Sequence, residues 1–500
     1  MWANFVETVT EVNAFINNLV WGWPVIILIL GTGLLLSIRT RFLQLRKFRD
    51  SLQTTIIPTV KSIGKKREHA DKNTKTVSQF EAFSAAISGT VGTGNIIGVV
   101  SAILTGGPGA VFWMWVSAFF GMITNYAENV LGLYYREKDK EGNFSGGAMY
   151  YISNGLKWKW LGYIAAIFCV LAAIGMSGVQ TSKISGAVST AIDLTVGVGN
   201  MLVVKLIIGV IVALLAAAII IGGIKRIGKV ASLLVPFMSV FFIGLAIISV
   251  FMHLDNVPEA FASIFKYAFN FKAAGGGVMG YAFAVVIKKG MARGVFSNEA
   301  GLGSSVIAHS ASETKEPVVQ GLWGVFEVFF DTFVICTVTA LMMLSTLDLG
   351  ALTGLENDTE MAMSVFSQNF GTFGMLSFSI IIPLFAFTTI MAWSYYGEKS
   401  TEFCFQWLRG EGKKKAVLVF KVAYVVLIVA SAVIESELLW NISDTCNGLM
   451  AVPNLICVVA MSGMVVKITQ NYYARKRGEK VEPMLSAYPE LNEEFKKEIL

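Results

Sequence analysis

The chain has 500 residues and a mass of 54.3 kDa; 54% of its residues are hydrophobic, 15% are charged, and its mean hydropathy is +0.62. A soluble protein carries charge on roughly a quarter of its residues. There is too little polar surface here to cover a water-soluble globule, which excludes an ordinary soluble enzyme, and the apolar content excludes a disordered chain. The five cysteines, Cys169, Cys336, Cys404, Cys446 and Cys457, are odd in number and lack a C-x-x-C spacing, and His69, His253 and His309 lie far apart. Buried thiols are expected, without a disulfide framework or a zinc-type site.

A membrane span needs about 20 mostly apolar residues, and about eleven such runs follow one another. They lie near 21–38, 80–104, 109–135, 160–188, 201–223, 230–252, 278–307, 318–346, 373–405, 416–437 and 439–468. Upstream of the first run stand Glu7 and Glu11 with no Lys or Arg. That is the reverse of a signal peptide's positive start, so a retained helix is expected. Lys and Arg collect on the cytoplasmic side of membranes. Residues 39–76 carry Arg39, Arg41, Arg46, Lys47, Arg49 and six further Lys or Arg, and 409–415 carry Arg409 and Lys413 to Lys415. The stretch 347–372 has Asp348, Glu356, Asp358 and Glu360 and no base. One orientation satisfies nearly every loop: N-terminus outside, C-terminus in the cytoplasm.

Shifting the chain by about 209 residues aligns Ser88 with Ser297, Gly92 with Gly301, Gly94 with Gly303, Thr105 with Thr314, Pro108 with Pro317 and Phe120 with Phe329. The two aligned spans run in opposite directions, which makes the repeat an inverted one. The expected organisation is an outer N-terminus with an extra helix (1–38), a basic cytoplasmic loop (39–79), a first five-helix unit (80–252), an outer loop (253–277), a second, inverted five-helix unit (278–468) and a cytoplasmic tail (469–500), read as solvated. The aligned spans are also the least helix-like, with Ser88-Gly-Thr-Val-Gly-Thr-Gly-Asn95 in one and Gly294-Val-Phe-Ser-Asn-Glu-Ala-Gly-Leu-Gly303 in the other. Each Gly costs roughly 1 kcal/mol against Ala inside a helix. Bared backbone groups cannot face lipid and must line a protein cavity, so paired interruptions in inverted halves point to a transporter's midplane site. Close helix packing is the alternative for small residues. GTGNIIG is not a dinucleotide fingerprint, because its third Gly falls one residue late and it sits within an apolar span. No organic cofactor and no nucleic-acid partner is expected.

A small zwitterion fits such breaks. Amides at Gly92, Thr93 and Gly94 open a half-helix whose positive end suits a carboxylate. Carbonyls near Thr90, Phe296 and Ser297 close half-helices whose negative ends suit an ammonium, so no charged side chain is needed. Asn95 and Asn298 add polar groups that packing does not require. Phe385, Thr388 and Thr389 share one helix face. Hydroxyls of Thr388 and Thr389 with carbonyls of Ser88 and Val91 would make a sodium-sized oxygen cage, unless the threonines bond their own helix. Trp393, one turn further, is either a lid that rejects large side chains or a core aromatic. Gln180, near Ser177 and Thr181, either binds the ligand or joins two helices. Among intramembrane ionisable residues, Glu299 sits in a break with Lys288, Lys289 and Arg293 nearby in sequence, and serves as an ion-pair member or a gate. Glu327 and Asp331, four apart, would hold a second cation or a proton. Glu128 and Glu398, near inner ends, are expected to be solvated or paired.

GGPGAVFWMWVSAFFG (106–121), RGVFSNEAGLGS (293–304) and SGTVGTGN (88–95) resemble motifs of the sodium:alanine/glycine symporter family. The resemblance covers essentially the whole chain. It implies an all-α membrane protein of the LeuT type: five-plus-five inverted repeats with two discontinuous helices and one extra N-terminal helix. It implies uptake of alanine or glycine with sodium, and sometimes protons. By motif it assigns Thr90, Gly92, Thr93, Gly94, Asn95, Ser297, Asn298 and Gly301 to substrate and ion binding, Thr388, Thr389 and Trp393 to ion and lid positions, and the carbonyls of Ser88 and Val91 to sodium. The expected mechanism is alternating access in the cell membrane, without a covalent step. A proton-coupled symporter using Glu299 or Asp331 is the nearest rival, and an ion channel the next. An intramembrane enzyme lacks any Ser/His/Asp, H-E-x-x-H or paired-aspartate constellation.

Overall fold

A computed structural model describes residues 2–62, 76–139, 142–197, 199–269, 278–347, 358–408, 410–434 and 436–499. His69, Asp348, Glu356, Arg409 and the bases between residues 65 and 75 lie outside these. Helices make up almost all of the described chain. Eight of them are long and apolar enough to cross a membrane: Thr8–Arg39, Gly109–Tyr134, Lys159–Asp193, Met201–Ile220, Gly223–Met252, Pro317–Thr346, Asp358–Cys404 and Leu438–Ala460. The other three expected spans fall short for physical reasons. Two are interrupted near their middles, and Glu411–Ser431 begins with a run of lysines and carries Lys421 inside it.

The first interrupted span starts at Gln79–Thr90, where Ser78 and Glu81 form a reciprocal capping box. The helix stops at Thr90, Thr93–Asn95 makes one tight turn, and Ile97–Gly106 resumes. The second runs as Val278–Asn298, breaks, and resumes as Ser305–His309. The two helix ends, Thr90 and Asn298, are 208 residues apart, and so are the two restarts, Ile97 and Ser305. This is within one residue of the repeat offset read in the sequence. Glycine accounts for the second break: Gly301 and Gly303 adopt φ of 94° and 73°, and Glu299 is forced to 55° beside them. Only glycine takes such angles without strain.

Both breaks lie at the centre, where residues 82–100 and 290–312 are buried throughout. Outer helices expose apolar side chains instead. Leu202, Ile207 and Leu214 on Met201–Ile220, and Leu233, Phe237 and Val240 on Gly223–Met252, form faces that belong against acyl chains. Three further features depart from expectation. The N-terminal segment is helical (Trp2–Val20), and Asn17 and Trp21 pack onto Thr445 and Asp444. The outer loop contains Val257–Ala268, whose end lies so close to Gly109 that a Cβ there would stand 2.4 Å from its backbone. The tail is solvated only in part, with residues 477–482 exposed. Its helix Pro489–Ile499 buries Leu491 and Phe495, Leu485 is fully enclosed, and Ala487 N donates to Tyr134 O at 2.8 Å.

Candidate functional site

At the first break the freed backbone groups meet side chains. Gly92 N donates to Asn95 Oδ1 at 2.9 Å, and Thr93 donates to Gln180 Oε1 from its hydroxyl at 2.8 Å and its amide at 3.4 Å. Gln180 thus reaches the break from Lys159–Val196. Gly94 faces the second break, where a Cβ would meet the Phe296 ring at 3.4 Å and Ser297 Cα at 3.6 Å. Gly92 is tighter still: a Cβ would lie 2.4 Å from Thr389 Oγ1. The glycines let three elements converge on one point.

Thr389 lies in Asp358–Cys404. Its hydroxyl is 3.1 Å from both Ser88 O and Phe385 O. It bonds its own helix, as the alternative to an oxygen cage had it, and it also touches the first break. Thr388 turns to Phe385 O at 2.9 Å and Met238 Sδ at 3.7 Å, away from Ser88. Thr90 keeps its hydroxyl on Ile87 O, and Val91 caps the helix through its N–H to the same carbonyl. Trp393 is fully buried one turn beyond Thr389, edge-on to Tyr396, and its indole N–H approaches Glu299 without forming a well-made hydrogen bond.

At the second break, Ser297 donates to Asp331 at 3.0–3.2 Å, and Asn95 of the first break donates to the same carboxylate at 2.5 Å. Thr332 adds a 2.8 Å bond and Cys336 lies 3.4 Å from the Ser297 hydroxyl. One fully buried carboxylate therefore ties both broken helices. This corrects the expectation that no charged side chain enters the grip. The reason is local: Pro317–Val328 passes into a π-helix, Phe329–Cys336, before Thr337–Thr346. The wider turn changes the side-chain register, and π-turns occur often at functional sites. Glu327 consequently does not share Asp331's partners. It meets His309 at 2.7 Å, and His309 meets Gln320.

Asn298 bonds Thr332 at 3.1 Å and, through its carbonyl, Ala300 N at 3.1 Å, which stabilises the turn after the break. Gly301 O accepts from Asn454 at 2.8 Å. Glu299 takes a bond from Ser304 at 2.5 Å and faces Gly89, so its nearby bases in sequence are not its partners. Arg293 instead pairs with Asp444 at 3.0 Å, its guanidinium 4.7 Å from the Trp440 ring, and Trp440 stacks on Phe296 at 5.0 Å. Lys183 pairs with Asp358 at 2.7 Å. Glu128, expected near solvent, is fully buried and accepts from Asn454, which also accepts from Tyr151. Glu398 is paired with Lys421 at 2.9 Å. Asp444, Trp440, Asn454 and His309 were not singled out from the sequence, although a polar residue in an apolar run is itself a signal.

The described residues hold no group of three or more His, Cys, Asp or Glu suited to a metal ion. What remains at the breaks is carbonyls, hydroxyls, amides and two carboxylates, Asp331 and Glu299, oxygen-rich chemistry of the kind that suits a hard cation.

A model of the sodium:alanine symporter family matches residues 6–486. The sodium/alanine symporter AgcS of Methanococcus maripaludis is 40% identical over 483 residues, covering 95% of this chain and 99% of AgcS. The probable sodium/glutamine symporter GlnT of Bacillus subtilis is 34% identical, covering 93% of this chain and 91% of GlnT. Among solved structures, LeuT-fold MhsT in complex with L-phenylalanine aligns at a TM-score of 0.56 with 14% identity, over 79% of this chain and 99% of MhsT.

Proposed function

The chain belongs to the sodium:alanine symporter family, and from that premise we propose that it imports alanine or glycine driven by sodium, by alternating access about the two breaks. It is a multi-pass membrane transporter for amino acids with a cation, not an enzyme. The observation that carries the finer reading is the convergence of both breaks on Asp331, beside the Thr389–Ser88 contact.

In this reading, sodium takes Ser88 O, Phe385 O and Thr389 Oγ1, replacing the hydrogen bonds of that hydroxyl, with Val91 O and Thr388 recruited by a rotation. The amino acid's carboxylate takes the amides of Gly92 and Thr93 from Asn95 and Gln180, with the amide of Gly94 beside them. Its ammonium takes carbonyls at Thr90 and Phe296 and the Asp331–Ser297 pair. The Phe296 ring against Gly94 favours a small side chain over a glutamine. One charge moved through 100 mV yields roughly 2.3 kcal/mol, about a fifty-fold gradient, so one sodium per substrate suffices. The basic loop and tail favour a cytoplasmic C-terminus.

The test is uptake of radiolabelled alanine into proteoliposomes at fixed pH, with and without an inward sodium gradient. Accumulation only with sodium supports the reading; accumulation driven by a proton gradient alone supports the rival. One observation favours that rival: among the described residues Asp331, Glu327 and Glu299 are all buried with no Lys or Arg bonded to them, and His309 touches Glu327.

A further inference from the structure

A second polar cavity lies at the end of the first span, remote from both breaks. It has a volume of about 540 Å³ and is lined by Arg39, Arg41, Arg46, Lys47, Arg477 and Glu479 among others. Five cations face one carboxylate. Glu479 is taken by Arg477 at 2.7 Å, and Lys47 is partly offset by Asp50 at 3.2 Å. Arg39 spends one nitrogen on Ser462 and Arg46 spends two on the carbonyls of Thr40 and Arg41. No hydrogen bond or ion pair engages the Arg41 guanidinium among the described residues.

The backbone holds this arrangement at a cost. Arg41 and Phe42 are consecutive non-glycine residues with φ of 57° and 53°. Each such left-handed residue costs roughly 1–2 kcal/mol, and strain of this kind gathers at ligand clamps. The sharp turn puts Arg39, Arg41 and Arg46 in one cavity. It also leaves apolar residues outside: Ile38 is 59% exposed, Phe42 40% and Leu45 60%. Exposed Ile27, Leu34 and Ile38 continue this surface down the helix at positions i, i+7 and i+11, one face of the span.

We propose that this cavity binds the phosphate of an anionic phospholipid, with its acyl chains lying along Ile27, Leu34 and Ile38. A free phosphate would use the same cations but has no use for the apolar stripe, and the cavity sits where the hydrocarbon ends. Basic pockets between spans on the cytoplasmic side recognise such headgroups.

The test uses the full chain purified from membranes and placed in nanodiscs of phosphatidylcholine with a minor fraction of phosphatidylglycerol. Retained lipid is counted by native mass spectrometry. Phosphatidylglycerol should be retained over phosphatidylcholine, and Arg41→Gln should weaken retention about fivefold, since each base near an anionic headgroup contributes about 1 kcal/mol. Arg477→Gln should weaken it further, and Lys414→Gln, exposed in the first turn of Glu411–Ser431, should not. The Arg41 guanidinium has no hydrogen bond or ion pair among the described residues, and its backbone bonds to Ile38 and Arg46 do not depend on the side chain, so its replacement leaves the fold intact. Equal retention of the two lipids, or unchanged retention in Arg41→Gln, would overturn the proposal. Displacement of the lipid by millimolar inorganic phosphate would overturn the lipid assignment in favour of a free-anion site.

Discussion

Thr389 holds two carbonyls on different helices with one hydroxyl, at 3.1 Å each. A hydroxyl has one proton, so the two acceptors share it, and a cation between the three oxygens satisfies all of them better. Thr389→Ala removes an oxygen ligand without opening a large cavity. The sodium concentration for half-maximal uptake is expected to rise about tenfold, equivalent to roughly 1.4 kcal/mol, with expression unchanged. An unaltered sodium requirement would remove Thr389 from the ion site. Asp331 bears a different prediction. Its oxygens accept from Asn95, Ser297 and Thr332, and Asp331→Asn replaces one acceptor with a donor facing donors. An unmatched buried polar pair costs about 1–3 kcal/mol, so alanine uptake should fall at least tenfold while the protein still folds. If sodium-independent alanine exchange survived and only net uptake failed, Asp331 would be a proton carrier rather than the tie between breaks. Thr389 was legible in the sequence because a polar pair in IIIPLFAFTTIMAW stands out. Asp331 was visible as an ionisable residue that, with Glu327, would hold a second cation or a proton, but not as the tie between the breaks. Its aim depends on a π-turn, which leaves no mark in a 3.6-residue pattern.

The broken helices were the most legible elements, because glycine and hydroxyl residues at mid-span conflict with the apolar, helix-forming sequence around them. Two copies of that conflict at one offset pointed to 88–95 and 294–303, and the helices stop inside those stretches, at Thr90 and Asn298. The sequence pattern could not say what the glycines face. Gly92 faces Thr389, and Gly31, in Trp23–Arg39, faces nothing within 4 Å. This contrast is testable. Gly92→Ala drives a methyl to 2.4 Å from Thr389 Oγ1, displacing that hydroxyl from Ser88 O and shifting the Gly92 amide. Uptake should be abolished and sodium-dependent protection against heat lost. Gly31→Ala should leave uptake unchanged and add up to about 1 kcal/mol of helix stability. If Gly92→Ala transported normally, the break would be mere close packing, the alternative weighed for it in the sequence.

At the scale of the whole molecule, the tail was the least legible part. Leu491 and Phe495 are spaced for one helix face, but a face in a short charged segment acquires meaning only when its receiving surface is known. Phe495 packs edge-on against Phe144 with ring centres 5.9 Å apart, and the buried Arg136 guanidinium sits 3.7 Å from the Phe144 ring. Arg136 donates to the carbonyls of Ser310, Ser312 and Thr314, the strap that follows Ser305–His309. Val77, at the start of the first broken span, pairs with Ser312 and accepts from Glu313 N. The tail therefore covers the residue that holds the strap, and the strap in turn pairs with Val77 at the start of the first broken span. Phe495→Ala removes a contact whose burial contributes about 1.5–3 kcal/mol, enough to release a helix of this length. A cysteine introduced at Ser310, which is buried here, should then react with a membrane-permeant thiol reagent several-fold faster than in the parent, in a background with Cys404 and Cys446 replaced by Ser. Faster labelling that alanine and sodium suppress would mean that the tail holds the inner ends closed. An unchanged rate would mean that Arg136 alone holds the strap and the tail merely rests on it.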